Sequence, residues 1–395
     1  MKASVSPLCL SFLLILFACK KPYTPAVIAS NPGYLVVEGV VNSGSDSTTI
    51  KLSRTISLAS DSSKNVPETG ARIMVESSKN DHYNLAETNP GTYVTLNLNL
   101  PTDRTYRLHI FTAANKEYIS DFVENMITPP IDSVYGVPNN TGVQFYVSAH
   151  ANASGTHYYR WNYNESWTYL IDPTEISVWI FQNNQILPRP LADFMGNECY
   201  IEPAPSNSIF IAGSYLAQGA VNKVPLGYVN ASTGKLANVY SLLVRQYALT
   251  GEAYTFWNLL KTNTEQLGTI FDAQPTSAIS NIHAVNSPQE PVVGYASVST
   301  VATKRIFLNS RTLPRFHILY PLPLECPTKY IAVDPVATFQ SRLQQTFGFG
   351  DTVILGAVTI LHTTTILGYD YAAKNCLDCQ TTGGTNVEPS YWPPL

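Results

Sequence analysis

From Tyr34 onward, the chain consists of short strand-like runs separated by turn-forming residues, and this pattern restricts the fold more than any other feature. Seven such runs lie between residues 34 and 123. The breaks between them contain Gly44, Pro67, Pro90 and Pro101, residue types that favour turns. Polar and apolar residues alternate from Tyr106 to Phe111, as they do in a strand with one buried face. The pattern predicts a mainly β protein that begins with an immunoglobulin-like sandwich.

The proline pair that follows Thr128 marks a predicted domain boundary. Proline cannot donate to a strand ladder, and it pushes the preceding residue out of the helical region. We therefore expect an immunoglobulin-like sandwich over 34–128 and a larger β-rich domain over 131–395. The larger domain is expected to contain one short helix near 251–263 and a loop-rich C-terminus. Ala253, Phe256, Trp257 and Leu260 recur at helical spacing, and Thr250 can cap the helix.

Aromatic residues occupy five of the six odd positions of the segment 159–169, and polar residues occupy the even ones. This period of two indicates a strand with an aromatic face. Sugars stack on such rings, so Trp161, Tyr163 and Trp167 are candidate ligand-stacking residues. The alternative is that the aromatic face packs into the core of a sandwich.

The composition favours an exported β-protein. Charged residues make up 13% of the chain, against roughly 25% in typical soluble proteins, while Tyr and Pro number 24 and 27. The formal net charge of −4 over 395 residues provides no basic stripe, so nucleic acid is not expected as a partner.

The N-terminus predicts export and attachment to a membrane. Lys2 precedes an apolar run from Leu8 to Phe17, which has the length of a signal-peptide core and is too short to span a bilayer. The run ends at Ala18-Cys19, and the residues around Cys19 resemble a lipobox. We expect a signal peptide over 1–18, a lipid with acyl chains such as palmitate on Cys19, and a tether over 19–33. Ordinary cleavage and an uncleaved anchor are the alternatives.

Several blocks of the mature chain resemble one family of Bacteroidota lipoproteins, domain of unknown function 4249. The blocks are Tyr34-Leu-Val-Val-Glu-Gly-Val-Val, Tyr106-Arg-Leu-His-Ile, Thr128-Pro-Pro-Ile-Asp-Ser-Val-Tyr, Tyr158-Tyr-Arg-Trp-Asn-Tyr, Gln246-Tyr-Ala-Leu-Thr-Gly-Glu-Ala-Tyr-Thr-Phe-Trp, Glu290-Pro-Val-Val-Gly-Tyr and Cys376-Leu-Asp-Cys. The resemblance implies an outer-membrane lipoprotein, on the periplasmic face or at the cell surface, and a TonB-dependent receptor as partner. It implies no catalytic activity. The segment 34–128 also resembles carboxypeptidase-regulatory-like domains.

Four cysteines belong to the predicted body: Cys199, Cys326, Cys376 and Cys379. In an oxidising envelope they favour up to two disulfides, with three possible pairings. A redox pair or half of a zinc site are the alternatives for Cys376 and Cys379.

Catalytic, cofactor and metal motifs are not found in the sequence. It has no Gly-x-Ser-x-Gly, no phosphate loop and no His-Glu-x-x-His. Two pairs of neighbouring carboxylates, Glu198 with Glu202 and Asp172 with Glu175, give no through-space distance that would predict glycoside hydrolysis. We therefore expect no cofactor and a non-catalytic, lipid-anchored binding or accessory protein of the envelope. A structural or adhesive surface module and a hydrolase with an unrecognised site are the alternatives.

Overall fold

A computed structural model describes most of the body of the chain. The described residues are 33–56, 66–151, 156–170, 179–188, 198–201, 204–206, 208–214, 219–265, 280–314, 328–333, 338–361, 363–373, 383–385 and 387–393. Cys19, with the predicted signal peptide and nearly all of the tether, lies outside them.

The protein is mainly β, as the sequence predicts. In chain order, the strands are β1 (Leu35–Asn42), β2 (Thr48–Arg54), β3 (Val66–Pro67), β4 (Arg72–Ser77), β5 (His82–Asn89), β6 (Thr92–Thr95), β7 (Thr105–Phe111), β8 (Glu117–Ser120), β9 (Val123–Met126), β10 (Ile131–Pro138), β11 (Gly142–Ala149), β12 (Tyr158–Leu170), β13 (Trp179–Gln182), β14 (Gln185–Pro188), β15 (Glu198–Ile201), β16 (Ala204–Pro205), β17 (Phe210–Gly213), β18 (Val221–Asn230), β19 (Val239–Leu249), β20 (Ile282–Ala284), β21 (Val293–Gly294), β22 (Val298–Ser299), β23 (Val301–Asn309), β24 (Lys329–Ala332), β25 (Thr352–Thr359), β26 (Ile366–Ala373) and β27 (Gly384–Thr385). The helices are α1 (Gly251–Glu265) and α2 (Thr338–Phe347).

The first unit is a sheet that returns on itself. Its strand order is β20-β8-β7-β4-β5-β6-β2-β1-β22-β9, and β9 pairs with β7 as well as with β22. The alternation in β7 has its expected effect, because Tyr106, Leu108 and Ile110 are buried while the residues between them are not. These side chains enclose one apolar core with residues of the surrounding strands, including Leu35 and Val75.

A distant segment, 280–299, completes this first unit. β20 pairs with β8, and β22 lies parallel to β1 between β1 and β9. Its residues Ile282, Val292 and Val298 belong to the first core. The predicted division at residues 128–131 therefore marks where the chain leaves the first unit for the first time, and the chain returns to it later. The chain passes between the two units near Thr128 and again near Thr300. These two positions are adjacent, because the Thr128 amide donates to Thr300 Oγ1 over 2.8 Å.

The second unit packs two sheets face to face. The sheet β10-β11-β18 covers one face of the sheet β23-β19-β12-β15-β27, and the core between them includes Phe145, Val147, Tyr159, Trp161 and Val244. A smaller sheet, β24-β26-β25, has its own core around Ile331, Phe347 and Tyr369.

Helix α1 lies where the spacing predicts it and ends two residues later than predicted. Thr250 caps it, because its Oγ1 accepts a hydrogen bond from the Ala253 amide over 3.2 Å. The prediction of a single helix is wrong, because α2 forms within the segment that we expected to be loop-rich. Its apolar stripe consists of Phe339, Leu343 and Phe347 alone, which is a weak local signal. Among the described residues, neither helix is long and apolar enough to cross a membrane.

Candidate ligand-binding cleft

A polar cleft of about 760 Å³ separates the first unit from the second. One wall belongs to the β1–β2 hairpin and its turn, and the other belongs to β12, β19 and β23. The lining residues are Gly39, Val40, Asn42, Asp46, Ser47, Thr49, Lys51, Arg160, Asn162, Asn164, Leu243, Arg245, Tyr247, Val301 and Thr303. Ligand sites commonly have volumes of about 300–1,000 Å³, so this cleft can hold a small organic molecule or a short oligomer.

Strand pairing fixes the second wall. β12 and β19 are antiparallel with Arg160 opposite Tyr247, Asn162 opposite Arg245 and Asn164 opposite Leu243. Alternate residues of a strand point to opposite faces of the sheet, so the even-numbered polar residues of β12 share the face that lines the cleft. The odd-numbered aromatic residues Tyr159 and Trp161 lie on the other face, in the core.

Arg160 is the most unusual group of this wall. Its guanidinium carbon lies 3.8 Å from the centre of the Trp257 ring and 5.4 Å from that of Tyr247, distances at which a cation is attracted to the aromatic face. Burial lowers the pKa of Arg160 from its ordinary value. Arg160 is half-buried. Within the described part of the chain, it has neither a carboxylate within 4 Å nor a hydrogen-bond partner, although cations that are withdrawn from water are normally paired.

Two further arginines lie on the same face of this sheet. Arg245 Nη1 donates to Asn164 Oδ1 over 2.5 Å, and Arg305 Nη1 donates to Ser241 Oγ over 2.8 Å. Burial lowers the pKa of Arg305, and the nearby positive charge of Arg245 lowers it further. Both arginines therefore have neutral partners, and their positive charges are not compensated by a carboxylate of the described residues.

Acceptor groups in the cleft complement these cations. Asn162 donates to Tyr247 Oη over 3.3 Å, while its own Oδ1 is buried without a hydrogen-bond partner among the described atoms. Asp46, in the turn after β1, is the one carboxylate among the lining residues that the structure describes. The cleft can thus bind an oxyanion through its guanidinium groups and hydroxyl groups through its amide and carboxylate oxygens.

The predicted stacking residues do not line this cleft. Trp161 is fully buried, and its indole Nε1 donates to Gln246 Oε1 over 2.8 Å, so its ring faces are covered by protein. This geometry matches the alternative of a core face. Tyr163 and Trp167 are partly buried against the same core, and the Lys235 ammonium lies 4.7 Å from the Trp167 ring centre. Stacking of a ligand on these two rings stays a prediction.

Cys199 is buried and disulfide-bonded. The other five cysteines, including Cys326, Cys376 and Cys379, lie outside the described residues. Strand β27 lies beside β15, the strand that contains Cys199, because Tyr200 pairs with Thr385. The predicted pairings among the four body cysteines remain predictions.

The predicted carboxylate pairs lie largely outside the described residues, since only Glu198 belongs to them. Glu198 Oε1 accepts from Asn238 Nδ2 over 2.8 Å, and Glu198 Oε2 accepts from Tyr200 Oη over 3.2 Å. In the described part of the chain, no group of three or more His, Cys, Asp or Glu side chains could hold a metal ion.

One sequence pattern could have indicated a wall of the cleft, but attention went to the aromatic residues between its members. Arg160, Asn162 and Asn164 occupy alternate positions of one strand and form its polar face, opposite the aromatic face. The opposite wall could not be found in this way, because it comes from β1 and β2, more than a hundred residues earlier in the chain.

The fold and the cleft define a mainly β protein with a ligand-sized opening between two β units. The chain belongs to the family described as a domain of unknown function (DUF4249), whose model matches residues 20–305. No curated protein matches the chain.

The similarities to solved structures are distant. Trypsin-activated α2-macroglobulin from Escherichia coli is 11% identical with a TM-score of 0.18, and the match covers 57% of this chain and 15% of that one. Two fibronectin type-III domains of chicken tenascin are 10% identical with a TM-score of 0.15, covering 56% and 93% of the two chains. The adhesin InvE of Yersinia pseudotuberculosis is 15% identical with a TM-score of 0.15, covering 55% of each. This chain thus spans less than a fifth of the macroglobulin.

Proposed function

We propose that this protein is a lipid-anchored, non-catalytic binding protein of the bacterial cell envelope, which holds its ligand in the cleft between the two units. The observation that carries the proposal is the cleft itself, with its cationic wall around Arg160 and its volume of about 760 Å³. The described lining provides amides, hydroxyls and guanidinium groups, which can hold a ligand by hydrogen bonds and by charge. Glycoside hydrolysis, by comparison, uses two carboxylates across the scissile bond, and the described lining provides Asp46.

The proposed location of the protein is the outer membrane, on its periplasmic face or at the cell surface. It rests on Cys19, which follows an apolar run of signal-peptide length, and on the Bacteroidota lipoprotein character that the sequence resemblance implies for the DUF4249 family, to which the chain belongs. Several acyl chains, palmitate among them, would make the attachment of Cys19 stable. Residues 19–33 would act as the tether of the folded body.

The proposed partner is a TonB-dependent receptor. In this arrangement the lipoprotein captures a ligand and delivers it to the receptor. Support comes from the family resemblance rather than from a surface of the described residues.

For the first unit, we propose an immunoglobulin-like sandwich of the carboxypeptidase-regulatory type. Tyr106, near the start of β7, donates its hydroxyl to the Pro101 carbonyl over 2.8 Å. Such a link from a tyrosine to backbone a few residues upstream is typical of immunoglobulin-like folds.

Metabolic labelling with a clickable palmitate analogue tests the anchor. The native chain should carry the label and fractionate with outer membranes, whereas Cys19→Ala should lose both the label and the membrane association. Equal labelling of the two chains would refute lipidation at Cys19.

Co-purification tests the partner. After mild solubilisation of outer membranes, a tagged chain should retain a TonB-dependent receptor in constant ratio. A lone protein whose deletion impairs cell adhesion would instead support the structural or adhesive alternative. Turnover abolished by a single carboxylate substitution would support the hydrolase alternative.

A further inference from the structure

We infer that the ligand of the cleft is an acidic oligosaccharide, whose carboxylate or sulfate group binds at Arg160. This inference rests on the proposed function, because it names the chemistry of the ligand that the same cleft would hold.

The charge of the cleft points to an anion. Its lining contains three cations, Lys51, Arg160 and Arg245, and one carboxylate, Asp46, although the whole chain has a net charge of −4. A positive cleft on a negative protein attracts anions selectively.

Because Arg160 has no charge partner, it is the position in the cleft at which the anionic group of the ligand would bind. Trp257 and Tyr247 hold its guanidinium in position, while its donors have no acceptor among the described residues. A planar guanidinium binds a carboxylate or a sulfate through two parallel hydrogen bonds, and a lysine cannot reproduce this geometry. An oxyanion at this point would supply the charge partner that arginines withdrawn from water usually have.

The neutral groups favour a saccharide over a peptide. Asn162, Asn164, Thr49 and Thr303 present amides and hydroxyls along the opening, which match the hydroxyl groups of a sugar. One common way for an extended peptide to bind is to add a strand to an exposed sheet edge. Here the wall is the face of β12, β19 and β23, and the backbone groups of the central strand β19 pair with both neighbours, so that face offers a peptide few main-chain partners.

Isothermal titration calorimetry of the mature full-length chain tests the inference. The probes are trigalacturonate, its fully methyl-esterified form, neocarrabiose 4-sulfate and neutral maltotriose. We expect one or both acidic probes to bind, with an affinity that falls as the salt concentration rises. The methyl ester and maltotriose should bind at least 10-fold more weakly. The two acidic probes distinguish a carboxylate from a sulfate.

Substitutions then locate the bound group. Arg160→Gln should weaken acidic binding on the order of 10- to 100-fold, the effect of losing a charge-assisted pair. Arg160→Lys keeps the charge and should recover only part of the affinity, and it replaces Arg160→Gln if that variant does not fold. The matched control is Arg311→Gln, an exposed arginine of the same unit outside the cleft, which should bind as the native chain does.

Four results would overturn the inference. They are equal binding of the methyl ester, undiminished acidic binding by Arg160→Gln, binding of maltotriose alone, and binding of none of the four probes. A neutral saccharide whose binding is abolished by the bulky substitution Thr49→Trp would leave the proposed binding function intact. If none of the four probes binds, the acidic-saccharide inference fails, and the palmitate labelling and receptor co-purification decide the proposed function separately.

Discussion

The guanidinium carbon of Arg160 lies 3.8 Å from the centre of the Trp257 ring, so that a residue of helix α1 supports a residue of strand β12 that lines the cleft. This stacking orients a cation whose donors have no acceptor among the described residues. Helix α1 therefore contributes to the cleft through the position of Arg160.

Trp257→Leu tests this orientation. Stacking of a cation on tryptophan stabilises by about 0.5–2 kcal/mol, so the variant should bind an acidic saccharide roughly 3- to 30-fold more weakly. Titration calorimetry measures the change. Trp257→Phe retains an aromatic face and should lose less affinity than Trp257→Leu. Native affinity in the leucine variant would show that the ring does not position Arg160.

Gln246→Leu tests the assignment of Trp161 to the core. Gln246 accepts from the Trp161 indole over 2.8 Å and donates to the Pro129 carbonyl over 2.7 Å, and both of its bonds are buried. Two unsatisfied buried groups should lower the free energy of unfolding by about 2–5 kcal/mol, measured by urea denaturation. Saccharide affinity should stay unchanged. A normal stability with weakened binding would instead indicate that Trp161 serves the ligand.

Asn281→Ala tests the return segment. The Asn281 side chain donates to the Ala296 carbonyl over 3.0 Å and accepts from the Ala296 amide over 2.8 Å, which holds two parts of the segment 280–299 together. Its loss should destabilise the protein by about 2–4 kcal/mol. Asn286→Ala, an exposed residue of the same segment, should change stability by less than about 0.5 kcal/mol. Similar losses in both variants would argue against a specific role of Asn281.

Glu76 should make the first unit sensitive to acid. Burial raises the pKa of its carboxyl, but hydrogen bonds from His109 over 2.6 Å and from Arg107 over 2.7 Å outweigh burial and hold the pKa below its usual value. A carboxyl with a lowered folded-state pKa stabilises the fold above the unfolded-state pKa of about 4.3, and this contribution disappears as the pH falls through the lower, folded-state value.

The measurement is the free energy of unfolding of the native chain and of Glu76→Gln at several pH values. The native chain should be the more stable of the two at neutral pH, and the difference should shrink below pH of about 4.3. The pH dependence of Glu76→Gln can be compared with that of Glu87→Gln. Glu87 is exposed, and hydrogen bonds from the backbone amides of Gly91 and Gly70 lower the pKa of its carboxyl. A difference that stays constant down to the lowest pH would contradict the role of Glu76.

The spacing of apolar and polar residues within single segments predicted strand faces and a helix cap. The alternation of β7, the two faces of β12 and the cap of α1 by Thr250 follow from spacing alone. The parallel pairing of β22 with β1 joins residues 41 and 298, and spacing within either segment carries no information about such a partner. Helix α2 was missed because its three apolar residues provide only a narrow stripe.

In the candidate site, too, local spacing predicted less than long-range packing determines. The aromatic pattern indicated Trp161 as a ligand contact, but this residue packs in the core and donates a hydrogen bond to Gln246. Arg160, its neighbour, became a candidate only once the structure revealed that its guanidinium stacks on Trp257 and lacks a carboxylate among the described residues. Charge pairing in three dimensions cannot be read from one strand.

The most direct test of a ligand cleft between the two units is hydrogen exchange, measured by mass spectrometry on the full chain with and without a saturating acidic saccharide. We expect peptides from both walls to be protected together: those containing β1 and β2 on one side, and those containing β12 and β19 on the other. At a saccharide concentration that just saturates the native chain, protection should be reduced in Arg160→Gln. Protection of one wall alone, or only of a distant element such as the β13–β14 hairpin, would contradict the account.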